Sequence, residues 1–271
     1  MDLRLEAKKA LVTGSSKGIG EAIARKLAAE GAIVIVHGRD RTLAMQVAHD
    51  IVANGGRAHA VIGDLTKDED VERLIGDAEA FSGSIDIVVN NAGGSGGTNE
   101  SWEQSSLESW ASAYDRNVLA AVRVTTRLLP AMRVARWGRV INISSLDATM
   151  PPASRADYSA CKAAVNAMTV SMAKAVAGDG VTVNAVSPGT IHSAVLDAAF
   201  RRAAAERGVT DPAAEWAEVE RVALPVFAQV PLGRVGRLEE IADVVAFLAS
   251  PLSGYITGVN LRIDGGLSPS L

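Results

Sequence analysis

Tyr158 and Lys162 stand four positions apart inside a stretch whose pattern predicts a long helix from Ala156 to about Ala177. Residues at i and i+4 share a helix face, so the phenol and the ammonium are neighbours. A free phenol ionises near pH 10, and bringing it to work near neutrality takes about three pH units, or roughly 4 kcal/mol of differential stabilisation. An adjacent ammonium and a positively charged cofactor ring are sources of that stabilisation. In isolation the pair is an ordinary surface contact. Its surroundings say more. Ser144 and Ser145 end a predicted strand, Arg139 to Ile143, which puts hydroxyls at the carboxyl edge of a sheet where a substrate carbonyl can sit. Asn90-Asn91-Ala92-Gly93 forms a small polar turn after another strand, and Asn117 follows in the next helical stretch. Together these residues point to proton transfer at a carbonyl/alcohol pair, with Tyr158 as the proton carrier.

A second group suits phosphate. Thr13-Gly14-Ser15-Ser16-Lys17-Gly18-Ile19-Gly20 follows the first predicted strand and opens a helix. Glycines there permit a tight turn and let backbone N–H groups approach a pyrophosphate at the helix N-terminus. The spacing is Gly-x-x-x-Gly-x-Gly rather than Gly-x-Gly-x-x-Gly, so it is the strand–turn–helix context that carries the reading. The second strand ends Val36-His37-Gly38-Arg39-Asp40. An acid at that end accepts ribose hydroxyls, whereas a base accommodates a 2′-phosphate. Gly38 removes the carboxylate, Arg39 offers a fork suited to phosphate and Lys17 adds a second cation, so the pattern predicts NADP(H). The competing reading makes Arg39 and Lys17 solvated charges and gives the ribose to Asp40.

The elements that must hold these groups alternate regularly. Predicted strands at 10–13, 33–36, 58–62, 85–89, 139–143, 181–186 and 260–263 are short β-branched runs, with helical stretches at 21–30, 42–54, 68–81, 156–177 and 238–248. This predicts an α/β, Rossmann-like doubly wound parallel sheet of about seven strands in a single domain spanning 1–271. Ser193 to Arg234 breaks the rhythm with an Ala/Glu/Arg-rich stretch containing Gly208, Pro212, Pro225 and Pro231. Ligands of such sheets bind beyond the carboxyl ends of the strands, so 193–234 is read as a substrate lid, with a plain surface helical pair as the alternative.

Net charge −4 gives no basic field that would draw the chain to nucleic acid. The single cysteine, Cys161, excludes an internal disulfide framework and fits a reducing, cytoplasmic setting; inside the catalytic helix it reads as a small buried residue. No metal is called for, since His37, His49, His59 and His192 show no ligand spacing. No apolar run approaches the roughly 20 residues of a membrane helix, so no membrane partner is expected.

These motifs, from the glycine turn through Asp64, Asn90-Asn91-Ala92-Gly93, Asn117, Ser145, Tyr158, Lys162 and Pro188-Gly189 to Asp264-Gly265-Gly266, resemble the short-chain dehydrogenase/reductase family over nearly the whole chain. The resemblance implies hydride transfer between NADP(H) and a carbonyl or secondary alcohol. It implies that Tyr158 is the acid in reduction and the base in oxidation, and that Ser145, thirteen residues earlier, bonds the substrate oxygen. Lys162 then holds the nicotinamide ribose and depresses the tyrosine, while Asn117 anchors a water on the path from Lys162 to solvent. Gly14, Ser16, Lys17, Gly18, Ile19, Gly20 and Arg39 bind the adenosine and phosphate side. Asp64 and Leu65 lie by the adenine, Asn91 by the ribose, Ala92 and Gly93 along the adenosine, and Pro188, Gly189, Ile191 and Ser193 in the loop over the nicotinamide. By the same resemblance the protein is a homotetramer, with the tail Leu267 to Leu271 at an interface.

Among such reductases are those acting on 3-oxoacyl groups carried on acyl carrier protein, which Pro231-Leu232-Gly233-Arg234 resembles. An acidic carrier needs basic docking residues near the active-site mouth. Arg136 matches one such position, but the second falls on Asp179, and 193–234 is longer than in those reductases. The expected substrate is therefore a free small molecule: a ketone, sugar, polyol or hydroxy-steroid-like alcohol. The acyl-carrier substrate is the first alternative, and a dinucleotide-binding regulator without turnover is the second. His192 lies in the cofactor-covering loop and is expected to be a solvated loop histidine, with contact to substrate as the alternative. The apolar lid residues Val195, Leu196, Ala199, Phe200, Trp216, Val219, Leu224, Val226 and Phe227 either line a pocket or pack against the lid itself or a neighbouring subunit.

Overall fold

A computed structural model of the chain describes residues 1–96, 102–211 and 213–269; Pro212 of the expected lid and the last two residues of the expected interface tail lie outside the described residues. Strands β1 (Lys9–Val12), β2 (Ile33–Gly38) and β3 (Arg57–Ile62) are linked by α1 (Gly18–Ala29) and α2 (Arg41–Ala53). Helix α3 (Asp68–Ser82) then carries the chain to β4 (Ile87–Asn90) on the other side of β1. From β4 it runs through α4 (Leu107–Tyr114), a π-helical turn at Asp115–Leu119 and α5 (Ala120–Ala135) to β5 (Gly138–Ile143). Next come α6 (Ala156–Val176), β6 (Val181–Pro188), α7 (Ala194–Ala205), α8 (Trp216–Phe227), α9 (Leu238–Ala249) and β7 (Asn260–Ile263).

The seven strands form one sheet in the order β3-β2-β1-β4-β5-β6-β7, parallel at every junction. Two apolar layers cover it, as a sheet fed by crossover helices requires. Ala10, Val12, Val34, Val36, Ile87 and Val89 face one layer with Ile23 and Leu27 of α1 and Ile241 and Val245 of α9. The intervening Leu11, Ile35 and Val88 face the other with Leu74 of α3, Leu128 of α5 and Val176 of α6. This alternation is the period of two expected of strands clothed on both faces.

Strand order reverses between β1 and β4, and the helices diverge there to leave a crevice beyond the carboxyl ends. Observed strand ends shift from the expected ones by up to two residues: β6 runs to Pro188, and Thr13 falls just past β1. The 193–234 excursion folds as α7 and α8 around its own apolar cluster, including Phe200, Ala204, Val219, Ala223 and Leu224, separate from both sheet layers. Among the described residues no helix is long and apolar enough to cross a membrane.

Candidate functional site

A cleft of about 1060 Å³ opens at the switch point, toward the upper end of small-molecule sites and roomy enough for a dinucleotide beside a second small molecule. Of the residues expected to act there, all but Gly18 and Asn117 line it. The glycine turn is held from three sides. Thr13 Oγ1 donates to Val89 O (3.1 Å) and accepts from the N–H groups of Asn91 and Ala92 (3.0 Å each). Asn91 Nδ2 donates to Thr13 O and Gly14 O at 2.9 and 3.0 Å, so the amide NH2 is engaged by the turn while the residue lines the cleft. A side chain at Gly20 would strike Asn91 Nδ2 and Gly14 O, which explains glycine there.

The third support is His37, whose role the sequence did not reveal. Its Nδ1 accepts from Gly14 N–H (3.0 Å) and its Nε2 contacts Gly63 O (3.1 Å), an arrangement that assigns the proton to Nε2. Burial lowers its pKa to about 4 and keeps the ring neutral. The available signal was positional: a lone polar ring ending an otherwise β-branched strand.

The turn fits a bound dinucleotide. Gly14 and Gly18 take φ of 64° and 61°, and nothing stands within 4 Å of a Cβ built on Gly18. Lys17, the N-cap of α1, makes no side-chain capping bond, which leaves the first-turn N–H groups of the helix to a phosphate. Arg39 is exposed at the cleft. Asp40 instead caps α2, accepting from Leu43 N–H (3.2 Å), and is not among the residues that line the cleft. Asp64 Oδ1 accepts from Thr66 N–H (3.0 Å) and Oγ1 (2.9 Å), and the first of these bonds holds its pKa below the usual carboxylate value.

At the other end of the cleft, Ser145 Oγ accepts from Asp147 N–H (3.1 Å), and both Ser145 and Tyr158 line the cleft wall. Ser144 is used otherwise: its Oγ donates to Lys162 O (3.1 Å) in the core, which leaves Ser145 as the hydroxyl for substrate. Lys162 Nζ donates to Ile143 O (2.8 Å) and lies 5.6 Å from the Tyr158 ring centroid; burial brings its pKa down to about 8. The family resemblance implied a depressed phenol. In the folded chain burial is the larger effect and raises Tyr158 above its ordinary value, with the nearby Ser145 hydroxyl opposing it. Burial also pushes the Cys161 thiol up to about 11, so the only cysteine packs as an inert residue.

Asn117 lies in the π turn and is buried. Its Oδ1 accepts from Gly94 N–H (2.8 Å), and its Nδ2 donates to Gly94 O (3.1 Å) and Ala113 O (2.9 Å). The carboxamide thereby clasps the loop after β4, and a Cβ on Gly93 would come within 2.6 Å of its Oδ1. Ser193 caps α7, accepting from Leu196 N–H (3.2 Å), so its hydroxyl retains its proton and one lone pair for a ligand. His192 is a partly exposed loop residue with partners of its own: it stacks on Trp216 at 3.8 Å between centroids and meets Asp197 at 3.3 Å. Among the described residues no group of His, Cys, Asp and Glu gathers as a metal site.

Arg136 and Asp179, read from the sequence as bearing on the active-site mouth, do not lie there within the chain. They precede β5 and β6, whereas Ser145 and Gly189 follow them; a strand of six residues separates the two edges of the sheet by about 20 Å. Asp179 is also ion-paired with Arg133 at 2.6 Å, so it presents no bare acid.

The family model described as short chain dehydrogenase matches residues 8–204. The chain is 36% identical to the 3-oxoacyl-[acyl-carrier-protein] reductase of Pseudomonas aeruginosa and 35% identical to that of Escherichia coli, each match covering 98% of this chain and 99% of the relative. Its fold is similar to the crystal structure of L-sorbose reductase from Gluconobacter frateurii complexed with NADPH and L-sorbose, with a TM-score of 0.90, 30% identity and 100% of both chains covered.

Proposed function

The chain belongs to the short-chain dehydrogenase family, and from that membership we propose an NADP(H)-dependent reductase in which Tyr158 delivers a proton to the carbonyl oxygen of a free small molecule. The observation that carries this reading is the gathering of the Ser145 hydroxyl, the Tyr158 phenol and the Lys162 ammonium on the wall of one dinucleotide-sized cleft, with Lys162 Nζ 5.6 Å from the Tyr158 ring centroid. The first turn of α1, Lys17 and Arg39 hold the phosphates, and Lys162 the nicotinamide ribose; Gly14, Ser16, Asp64, Leu65, Ala92, Gly93, Pro188, Gly189, Ile191 and Ser193 complete the cradle. When bound, NADPH supplies the hydride.

The chain's own residues manage the proton. Burial keeps Tyr158 protonated at neutral pH, the form an acid needs for reduction. Ser145 orients the carbonyl oxygen against the phenol. Lys162, with a pKa of about 8, is mostly cationic at pH 7 and stabilises the tyrosinate left behind. Replacing Tyr158 by Phe is expected to lower kcat by about 10²–10⁴-fold, while fluorescence titration still detects NADPH binding. Unchanged turnover would refute the mechanism.

The acyl-carrier relatives favour a second reading, a 3-oxoacyl thioester substrate. A carbonyl panel that includes an acyl-carrier mimic separates the two, and strong preference for the thioester would overturn the first. Homotetramer formation in the cytoplasm belongs to the same proposal. Exposed Leu252, Tyr255 and Val259 beside β7 support a face for a second copy.

A further inference from the structure

The substrate end of the cleft carries an ion pair that the proton-transfer chemistry does not use. Arg155 is the N-cap residue of α6, three positions before Tyr158, and its guanidinium lines the cleft together with Ser145 and Tyr158. Its side chain keeps 40% exposure, and Nη1 lies 3.2 Å from Asp147 Oδ2. Asp147 comes from the 3₁₀ turn Leu146–Ala148 that begins at Ser145, and the N–H of Asp147 donates to the Ser145 hydroxyl. Its carboxylate is only 14% exposed, and no hydrogen bond from the described residues reaches Oδ2: the contact with Arg155 is an ion pair without hydrogen-bond alignment. Both charges act on the Tyr158 phenol, Asp147 raising and Arg155 lowering its pKa.

A buried carboxylate oxygen that lacks a hydrogen bond, as Asp147 Oδ2 does, is costly to keep where an apolar residue would pack. The charge of Arg155 is already met by Asp147, so its remaining N–H groups suit a neutral oxygen better than a second anion. The negative field of Asp147 further favours an oxygen that brings its own proton. A hydroxyl satisfies both conditions, whereas a methylene chain laid over the pair would strip its water and return nothing.

Resting on the reductase reading above, we propose that Arg155, held in position by Asp147, forms a polar subsite that selects carbonyl compounds bearing a hydroxyl beside the reacting carbonyl, that is, hydroxyketones of the sugar and polyol class. Arg155 touches the substrate hydroxyl, and Asp147 is the positioning residue.

The test compares kcat/KM with NADPH for a ketohexose, a plain methyl ketone of the same chain length and a 3-oxoacyl thioester mimic. Calorimetry of the corresponding polyol binding to the NADP⁺-loaded protein provides a readout without turnover. The native protein is expected to favour the hydroxyketone over the plain ketone by about tenfold or more, and Arg155→Gln and Asp147→Asn each to reduce that ratio and the polyol affinity by about tenfold. Arg155→Lys and Asp147→Glu are expected to restore part of the ratio, and they replace any variant that fails to fold. A ratio near one or a ratio untouched by the substitutions overturns this assignment and leaves the reductase reading standing, whereas preference for the thioester overturns this assignment together with the free-small-molecule substrate of that reading. No NADPH oxidation with any carbonyl overturns both.

Discussion

Burial sets the ionic states at the base of the cleft: Lys162 is brought down to about 8 and Tyr158 is driven up, so the two meet as ammonium and neutral phenol. His37 obeys the same rule at the other end. Its folded pKa of about 4 lies below the ordinary 6.5, so the unfolded chain takes up a proton first as pH falls. Its stabilising effect is complete above pH 6.5 and is lost between 6.5 and 4, with roughly 2 kcal/mol gone by pH 5. Urea unfolding at pH 7 and pH 5 is expected to show that loss in the native protein and a smaller one in His37→Gln. Equal losses would show that His37 does not govern the turn. Tyr158, Lys162 and Ser145 were legible because their types and spacing already describe a chemistry. His37 was not, because its partners Gly14 and Gly63 come from other elements and no short-range pattern records them.

The strands and most helices could be read from periodicity, since each alternation maps onto a layer of the core. The stretch from α4 to α5 was harder. Pro130 lies inside α5 and the π turn interrupts the repeat, so the sequence marked only Asn117 in an unbounded helical stretch. The excursion at 193–234 was recognised by its composition, but its internal core was not. The open choice for its apolar residues resolves for several of them: Phe200, Val219 and Leu224 pack against one another. Phe200 is fully buried and meets Trp216 and Phe227 edge to face at 5.6 and 4.6 Å. Phe200→Ala is expected to cost about 3–5 kcal/mol locally. Because this cluster is separate from the sheet layers, the loss is expected to appear as faster proteolysis within 194–227 and a raised KM for the carbonyl substrate. Global melting should change far less; a matching drop in melting temperature would mean that the pair is part of the main core.

At the scale of the whole molecule, fold class and switch point followed from the alternation of strands and helices. The distance between sequence positions did not, which is why Arg136 and Asp179 seemed to bear on a mouth at the far edge of the sheet. Cofactor binding couples to the stability of this single sheet. NADPH at a hundred times its Kd adds about 2.7 kcal/mol to unfolding, or roughly 5–10 °C in melting temperature for a chain of this size. NADH at the same concentration is expected to give a smaller shift, since Asp40 is occupied as a helix cap and Arg39 has no phosphate to meet. A larger shift with NADH would reverse the assignment of Arg39.

The π turn at Asp115–Leu119 amounts to one residue more than a continuous α-helix would need. Deleting a single residue there would let α4 and α5 fuse in regular register and would abolish the wide turn that projects Asn117. Asn117 would swing away from Gly94, and the loop after β4 would lose its clasp. The site is thus built on an insertion, and its shape is sensitive to chain length at this point even where residue identity is kept.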